Sequence, residues 1–156
     1  RVAGPTVFSG YWAGGQDPFD EQGYLRTGEV FEIAEHDPSL LRYRDRSRDI
    51  VVRGGANISP GELEALIGAL PGVAEVAVVG TPDERLGERV AAVVVAAPGQ
   101  PAPTLDALVA ALRERRIASY KLPERLEIVE ALPRNPLGKV LKRELRDRLR
   151  PRPDTG

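Results

Sequence analysis

Three short stretches of this 156-residue chain combine residue types that can do chemistry. Tyr24-Leu25-Arg26-Thr27-Gly28-Glu29 sets a hydroxyl, a flexible turn and a carboxylate side by side, a set able to take hydrogen bonds from a sugar diol. Arg46-Ser47-Arg48-Asp49 is followed by Arg53-Gly54-Gly55-Ala56-Asn57, where paired glycines let the backbone approach a ligand closely. Pro133-Arg134-Asn135-Pro136-Leu137-Gly138-Lys139 carries a lysine on a loop stiffened by prolines and freed at one glycine. Its ammonium can neutralise phosphate or carboxylate charge that develops during a transfer reaction. Each stretch also has an ordinary reading: a hairpin with a surface acid, a tight turn, a solvated lysine.

Composition narrows the chemistry further. With no cysteine and one histidine, His36, the chain has no disulfide, thiolate metal site or cysteine nucleophile, and no metal ligand set is expected. Catalysis must then rest on Lys, Arg, Asp, Glu, Ser, Thr or Tyr. The 22 basic and 23 acidic residues nearly cancel, so the broad positive footprint of a nucleic-acid binder is absent. Charge is unevenly placed: residues 1–40 hold two bases against seven acids, and residues 121–150 nine bases against five acids. A basic end of that kind suits the phosphates of a small ligand or a solvated amphipathic helix equally. No apolar run approaches the roughly 18 to 20 residues of a membrane span. The lack of methionine and the start at Arg1, inside an apolar strand-like run, read as a piece cut from a longer protein.

The elements that must position these stretches are legible in the spacing. Glycines and prolines break residues 1–23 into short strands at most. Residues 24–35 and 40–46 pattern as a hairpin, with His36, Asp37, Pro38 and Ser39 as its turn. Ile50–Val52 is a brief β-branched strand that stops at Gly54-Gly55. Ser59, Pro60 and Glu62 form a helix start, and Leu63, Leu66, Ile67 and Leu70 follow on one face. Residues 73–79 and 90–97 read as two buried strands around an 82–87 loop. Thr104 caps a second helix with Leu105, Leu108, Val109 and Leu112 in register. A strand over Leu126–Val129, a loop over 133–138 and a basic helix over 141–149 complete the pattern, and the tail 151–156 is expected to be disordered. The fold class is α+β, with a short mixed sheet flanked by helices and preceded by a β-rich strip.

Taken together, the order and spacing of the motifs resemble the C-terminal portion of the acyl-CoA synthetases, acid:CoA ligases of the adenylate-forming superfamily. The resemblance runs from Gly4-Pro5-Thr6-Val7-Phe8-Ser9-Gly10-Tyr11-Trp12 through Gly23–Glu29, Asp45–Ile50 and Gly54-Gly55-Ala56-Asn57-Ile58-Ser59-Pro60. It ends with Leu86-Gly87-Glu88-Arg89, Tyr120-Lys121-Leu122-Pro123 and Pro133–Lys139. The Arg53–Pro60 and Lys121–Glu127 runs look most like synthetases for medium-chain or alicyclic acids.

The resemblance implies a two-step ligase that uses ATP, Mg2+ and CoA: a carboxylic acid, fatty or alicyclic, becomes an acyl-adenylate, and a thiol then displaces AMP. It also implies residues 1–46 as the end of a large adenylation domain, 47–49 as a hinge, and 50–150 as a small mobile domain. By position, Lys139 is the catalytic lysine of adenylation; Thr27, Gly28, Glu29 and Arg46 meet the nucleotide. Arg48 is the hinge; Gly54, Gly55 and Lys121 lie toward CoA. Glu29 replaces the family's usual aspartate, Arg48 its usual Asp or Lys, and Asp45-Arg46 its commoner Gly-Arg. The implied enzyme is cytoplasmic, with acid, ATP and CoA as partners through the large domain and with neither nucleic acid nor a membrane span. The 156-residue piece alone is expected to be inactive and to hold no cofactor. Two rivals stand beside this reading: an adenylation domain that loads a carrier-protein pantetheine, and a non-catalytic interaction module, for which Glu29 and Arg48 are the grounds.

Overall fold

The structure, a computed structural model, describes residues 2–9 and 17–150. They fall into two compact units that divide between Arg48 and Asp49. The Gly10–Trp12 end of the first motif and the tail at 151–156 lie outside the described residues.

In the first unit, Leu25 bridges to both Val2 and Phe19, and the Phe8 and Phe19 rings meet at 6.0 Å. Strands β1 (Glu29–Ala34) and β2 (Asp37–Arg46) form an antiparallel ribbon. Its turn is the pair Glu35-His36, whereas the polar run at 36–39 had predicted a four-residue turn. Asp37, Pro38 and Ser39 instead begin β2. The Asp37 carboxylate accepts from the Ser39 amide at 2.9 Å and hydroxyl at 2.6 Å, and those bonds hold its pKa below the usual range. The register jumps from Ala34↔Asp37 to Ile33↔Leu41, so the turn-forming residues are absorbed as an irregularity in the strand. Pro38 breaks no ladder there, because it lies in the unpaired stretch between the Asp37 and Leu41 positions of the register. Phe31, Ile33, Leu41 and Tyr43 stay exposed, with the Phe31 and Tyr43 rings edge to face at 5.8 Å.

The second unit is a five-stranded mixed sheet with helices on both faces. Strand β3 (Val51–Arg53) pairs with β4 (Ala56–Ile58), β5 (Val73–Asp83) with β6 (Gly87–Ala96), and β3 joins β6 at Arg53↔Gly87. β7 (Arg125–Val129) runs parallel to β6, while every other pairing is antiparallel. Alternate residues of β5 and β6 point to opposite faces. Val78, Val90, Ala92 and Val94 pack with Leu63 and Ile67 of α1 (Pro60–Gly68) and Leu108 and Leu112 of α2 (Leu105–Glu114). Ala77, Val79, Ala91 and Val93 pack with Leu145 and Leu149 of α3 (Lys142–Leu149). Both faces are covered, which explains why these two strands read as continuous apolar runs rather than alternating ones.

Two details go beyond or differ from the sequence expectation. The strand stops at Gly54-Gly55 as expected, but the pair also turns the chain back into β4, with φ of +56° and +82°. A two-residue turn with positive φ at both positions matches the twist of the strands it joins, and glycine adopts it without steric cost. The 82–87 loop contracts to Glu84–Leu86, because the Asp83 carboxylate accepts from the Arg85 and Leu86 amides at 3.1 and 2.8 Å. The helices follow their predicted caps: Ser59 Oγ accepts from the Glu62 amide and Thr104 Oγ1 from the Ala107 amide.

Candidate functional site

The first unit gathers Thr27, Gly28, Glu29 and Arg46 at the open end of the β1–β2 ribbon. Glu29 stands opposite Arg46 in register. Thr27 Oγ1 accepts from the Glu29 amide at 3.2 Å, and the Gly28 carbonyl accepts from the Ser47 amide at 2.7 Å, so the short run is fixed at both sides of Gly28. The Glu29 side chain is exposed and Arg46 half-buried. Asp45, the one buried charged residue among those described, accepts from the Arg46 amide at 3.1 Å. An acceptor carboxylate, a hydroxyl and a guanidinium thus share one strand end, a set suited to a diol and an anion. Arg48, exposed, lies in a 3-10 turn, Ser47–Asp49, where the two units divide.

In the second unit Lys139 closes a tight loop. Arg134 bridges to Val140, the Asn135 amide donates to the Lys139 carbonyl at 2.9 Å, and the Asn135 carboxamide oxygen accepts from the Leu137 and Lys139 amides at 3.1 and 2.8 Å. The Arg134 guanidinium donates to the Gly138 carbonyl at 2.6 Å and to Glu75 of β5. The loop is therefore braced from inside and outside, while the Lys139 side chain is exposed and has no ion pair with the described residues of its unit. An unpaired ammonium on a braced loop is ready to meet an anion.

The Gly54-Gly55 turn is held elsewhere. The Gly54 amide donates to the Leu86 carbonyl at 2.8 Å, and Arg53 grips both carboxylate oxygens of Glu124 at 3.2 and 3.1 Å. Arg89 reaches Glu124 at 3.5 Å and also bonds Asp83. Asp83 is held below the usual carboxylate range, chiefly by the Leu86 amide and then by Arg89, and that same bond raises the Arg89 pKa. Lys121, half-buried in the 3-10 turn Ser119–Lys121, donates to Glu62 of α1 at 2.7 Å. Its charge is thus neutralised within the fold. Sequence reasoning missed the pairings of Lys121 with Glu62, Arg134 with Glu75 and Arg53 with Glu124, which span 59 to 71 residues and carry no local signal.

The two candidate sites of this unit lie at opposite ends of its sheet. Along β6, Gly87 pairs with Arg53 and Val95 with Glu75; that separation is roughly 26 Å at about 3.3 Å per residue. Among the described residues no group of three or more His, Cys, Asp or Glu side chains is placed to hold a metal ion. No described helix is long and apolar enough to cross a membrane.

Residues 62–139, half of the chain, match the family described as the AMP-binding enzyme C-terminal domain. Over 132 residues the chain is 43% identical to the long-chain-fatty-acid–CoA ligase FadD13 of Mycobacterium tuberculosis, covering 85% of this chain and 25% of that protein. Over 150 residues it is 43% identical to the fatty acid–[acyl-carrier-protein] ligase ScoC of Streptomyces coeruleorubidus, covering 94% of this chain and 28% of that protein. Among solved structures, ATP-bound MatB from Rhodopseudomonas palustris superimposes with a TM-score of 0.83 at 36% identity, over 94% of this chain and 29% of that one. The o-succinylbenzoate CoA synthetase of Bacillus subtilis, in complex with its acyl-adenylate intermediate, gives 0.79 at 31% identity, over 92% and 29%. The chain spans about a quarter of the length of the curated relatives it matches.

Proposed function

The chain belongs to the C-terminal domain family of AMP-binding, adenylate-forming ligases, and from that premise we propose that it is the C-terminal part of an ATP-dependent acyl-CoA synthetase. The carboxylate of a fatty or alicyclic acid attacks the α-phosphorus of ATP, pyrophosphate leaves, and the CoA thiol then attacks the acyl carbon and expels AMP. Residues 1–46 close the large domain, residues 47–49 act as the hinge, and residues 50–150 are the mobile domain.

In the first step Thr27, Gly28, Glu29 and Arg46 hold the nucleotide, with Glu29 accepting from ribose hydroxyls. Lys139 offsets the negative charge that accumulates between the attacking carboxylate and the α-phosphate, the point at which fixed cations are most effective. In the second step the Gly54-Gly55 turn and the Lys121 segment face the incoming thiol, and Arg48 absorbs the rotation that exchanges one face for the other. The observation that supports this reading best is the separation of Lys139 and Gly54-Gly55 to opposite ends of one sheet. A rigid body built that way serves one reaction centre with its two ends only in turn.

A second acceptor is favoured by a specific observation. The relative ScoC is named for loading an acyl-carrier protein, and a carrier's pantetheine presents the same thiol as CoA. The complete protein, a cytoplasmic enzyme of carboxylic-acid metabolism on this reading, is tested by acid-dependent exchange of pyrophosphate into ATP across a panel of acids. CoA or a phosphopantetheinylated carrier is then supplied as acceptor. Exchange with a fatty or alicyclic acid and thioester formation on CoA are expected. Failure of exchange with every acid would leave the non-catalytic module as the correct reading.

A further inference from the structure

We infer that Arg134 and Glu75 form a clamp that sets the position of Lys139 during adenylation, a role that rests on the proposed function of Lys139. The clamp acts on one peptide plane. The Arg134 guanidinium donates through one terminal nitrogen to the Gly138 carbonyl at 2.6 Å and through the other to the Glu75 carboxylate at 2.5 Å. The Gly138 carbonyl belongs to the peptide bond that carries the Lys139 amide. A guanidinium is planar and rigid, so an acceptor on each nitrogen fixes the two acceptors relative to each other. Glu75 sits on β5 at a register irregularity, and β5 is an edge strand of the sheet.

The other bonds of the loop cannot do this. Those from the Leu137 and Lys139 amides to the Asn135 carboxamide oxygen, and from the Leu141 amide to the Pro133 carbonyl, begin and end within the loop and its flanks, so they stiffen it without aiming it. Outside the loop, Lys142 binds Glu64 of α1 at 2.7 Å, but that pair follows Lys139 by three residues and anchors the start of α3. Among the described residues, Arg134–Glu75 is the charged tie from the turn itself to the sheet, beside the apolar packing of Val140 that follows it. Both side chains are nearly half exposed, 43% and 45%, and ion pairs so open to water add little to folding stability. Its consequence is therefore geometric. A lysine that must meet a developing charge loses effect steeply with displacement, since a misplacement of about 1 Å is able to cost on the order of a hundredfold in rate.

The experiment uses the complete ligase with Arg134→Gln, Arg134→Lys and Glu75→Gln, with Lys139→Ala as reference. It measures kcat and KM for ATP in pyrophosphate exchange, thioester formation from supplied acyl-adenylate, and melting temperature. Glu75→Gln leaves the bond to Gly138 intact and removes only the charged anchor, so it remains informative even if the Arg134 variants fold poorly. The expected result is a fall in adenylation kcat of about tenfold or more for Arg134→Gln, a smaller fall for Glu75→Gln, and an intermediate one for Arg134→Lys, which keeps the charge but not the fork. KM for ATP, thioester formation and melting temperature stay near the parent values. Unchanged adenylation in Glu75→Gln and Arg134→Gln alongside a large loss in Lys139→Ala overturns the clamp and spares the reading of Lys139. Equal losses in both half-reactions with a lowered melting temperature overturn it in favour of a structural brace. Normal adenylation in Lys139→Ala removes the premise and the clamp with it.

Discussion

Replacing Gly54 and Gly55 one at a time by alanine separates what the turn does for the fold from what it does for a ligand. Both glycines have left-handed φ, +56° and +82°. An L-residue there costs roughly 1–2 kcal/mol, and the smaller freedom of alanine in the unfolded chain returns about half of that at most. A Cβ on Gly54 would meet Leu86 Cδ2 at 3.6 Å, an ordinary contact, and a Cβ on Gly55 would meet nothing within 4 Å. No clash is added in either case, so both variants should lose about 1 kcal/mol, or about 4–8 °C in melting temperature for a domain of this size. Asparagine, which tolerates the left-handed region, should recover part of that loss at either position.

The two variants should part in catalysis. The methyl added in Gly54→Ala would rest against Leu86, whereas the one added in Gly55→Ala would project into the open space through which the thiol is proposed to pass. Thermal melts on the chain and half-reactions on the complete ligase read the two effects separately. Gly55→Ala should slow thioester formation by about tenfold or more beyond Gly54→Ala while leaving pyrophosphate exchange near the parent rate. Melting temperatures unchanged in both variants would refute the turn geometry. Equal thioester rates in both would refute the approach of the thiol to Gly55.

Three further outcomes are expected. Arg48→Pro fixes φ near −65° and drives Ser47 out of the helical region, so one half-reaction should persist and the other fall by orders of magnitude at an unchanged melting temperature; retention of both contradicts the hinge. Asp83→Asn should lower the melting temperature of the chain at neutral pH. Because the folded pKa of Asp83 lies below its ordinary 3.8, its contribution is complete above that value and is lost as pH falls through the folded one. The gap between parent and variant should therefore shrink below about pH 4, and a gap that persists there, seen in melts across pH, contradicts the assignment. Calorimetry should show the 156-residue chain binding ATP more weakly than about 1 mM, since ligand sites bury most of their ligand; micromolar affinity contradicts the proposed division of the nucleotide site.

Much of this architecture was legible because local chemistry and burial agree. Ser59 and Thr104 cap the helices they were expected to cap. The apolar runs in β5 and β6 are buried on both faces, as their composition implied. The three-residue strand β4 was not legible, since three residues carry no period, and the Gly54-Gly55 pair that stops one strand also starts the next. The ribbon turn was misplaced because Asp37 and Ser39 satisfy each other inside the strand. The candidate residues could be named from motif spacing, but their ties could not. Lys121–Glu62, Arg53–Glu124 and Arg134–Glu75 join residues far apart in sequence, and tertiary structure alone brings them together. The placing of Lys139 and Gly54-Gly55 at opposite ends of β6 is likewise a property of the sheet order.

The central claim, that one end of the second unit serves adenylation and the other serves thiol transfer, is tested most directly by Lys139→Ala in the complete ligase with the half-reactions measured apart. Acid-dependent pyrophosphate exchange should fall by about 10² to 10³, while thioester formation from supplied acyl-adenylate stays within about twofold of the parent, because the far end of the sheet is untouched. Exchange at the parent rate, or equal loss in both half-reactions, would contradict the account.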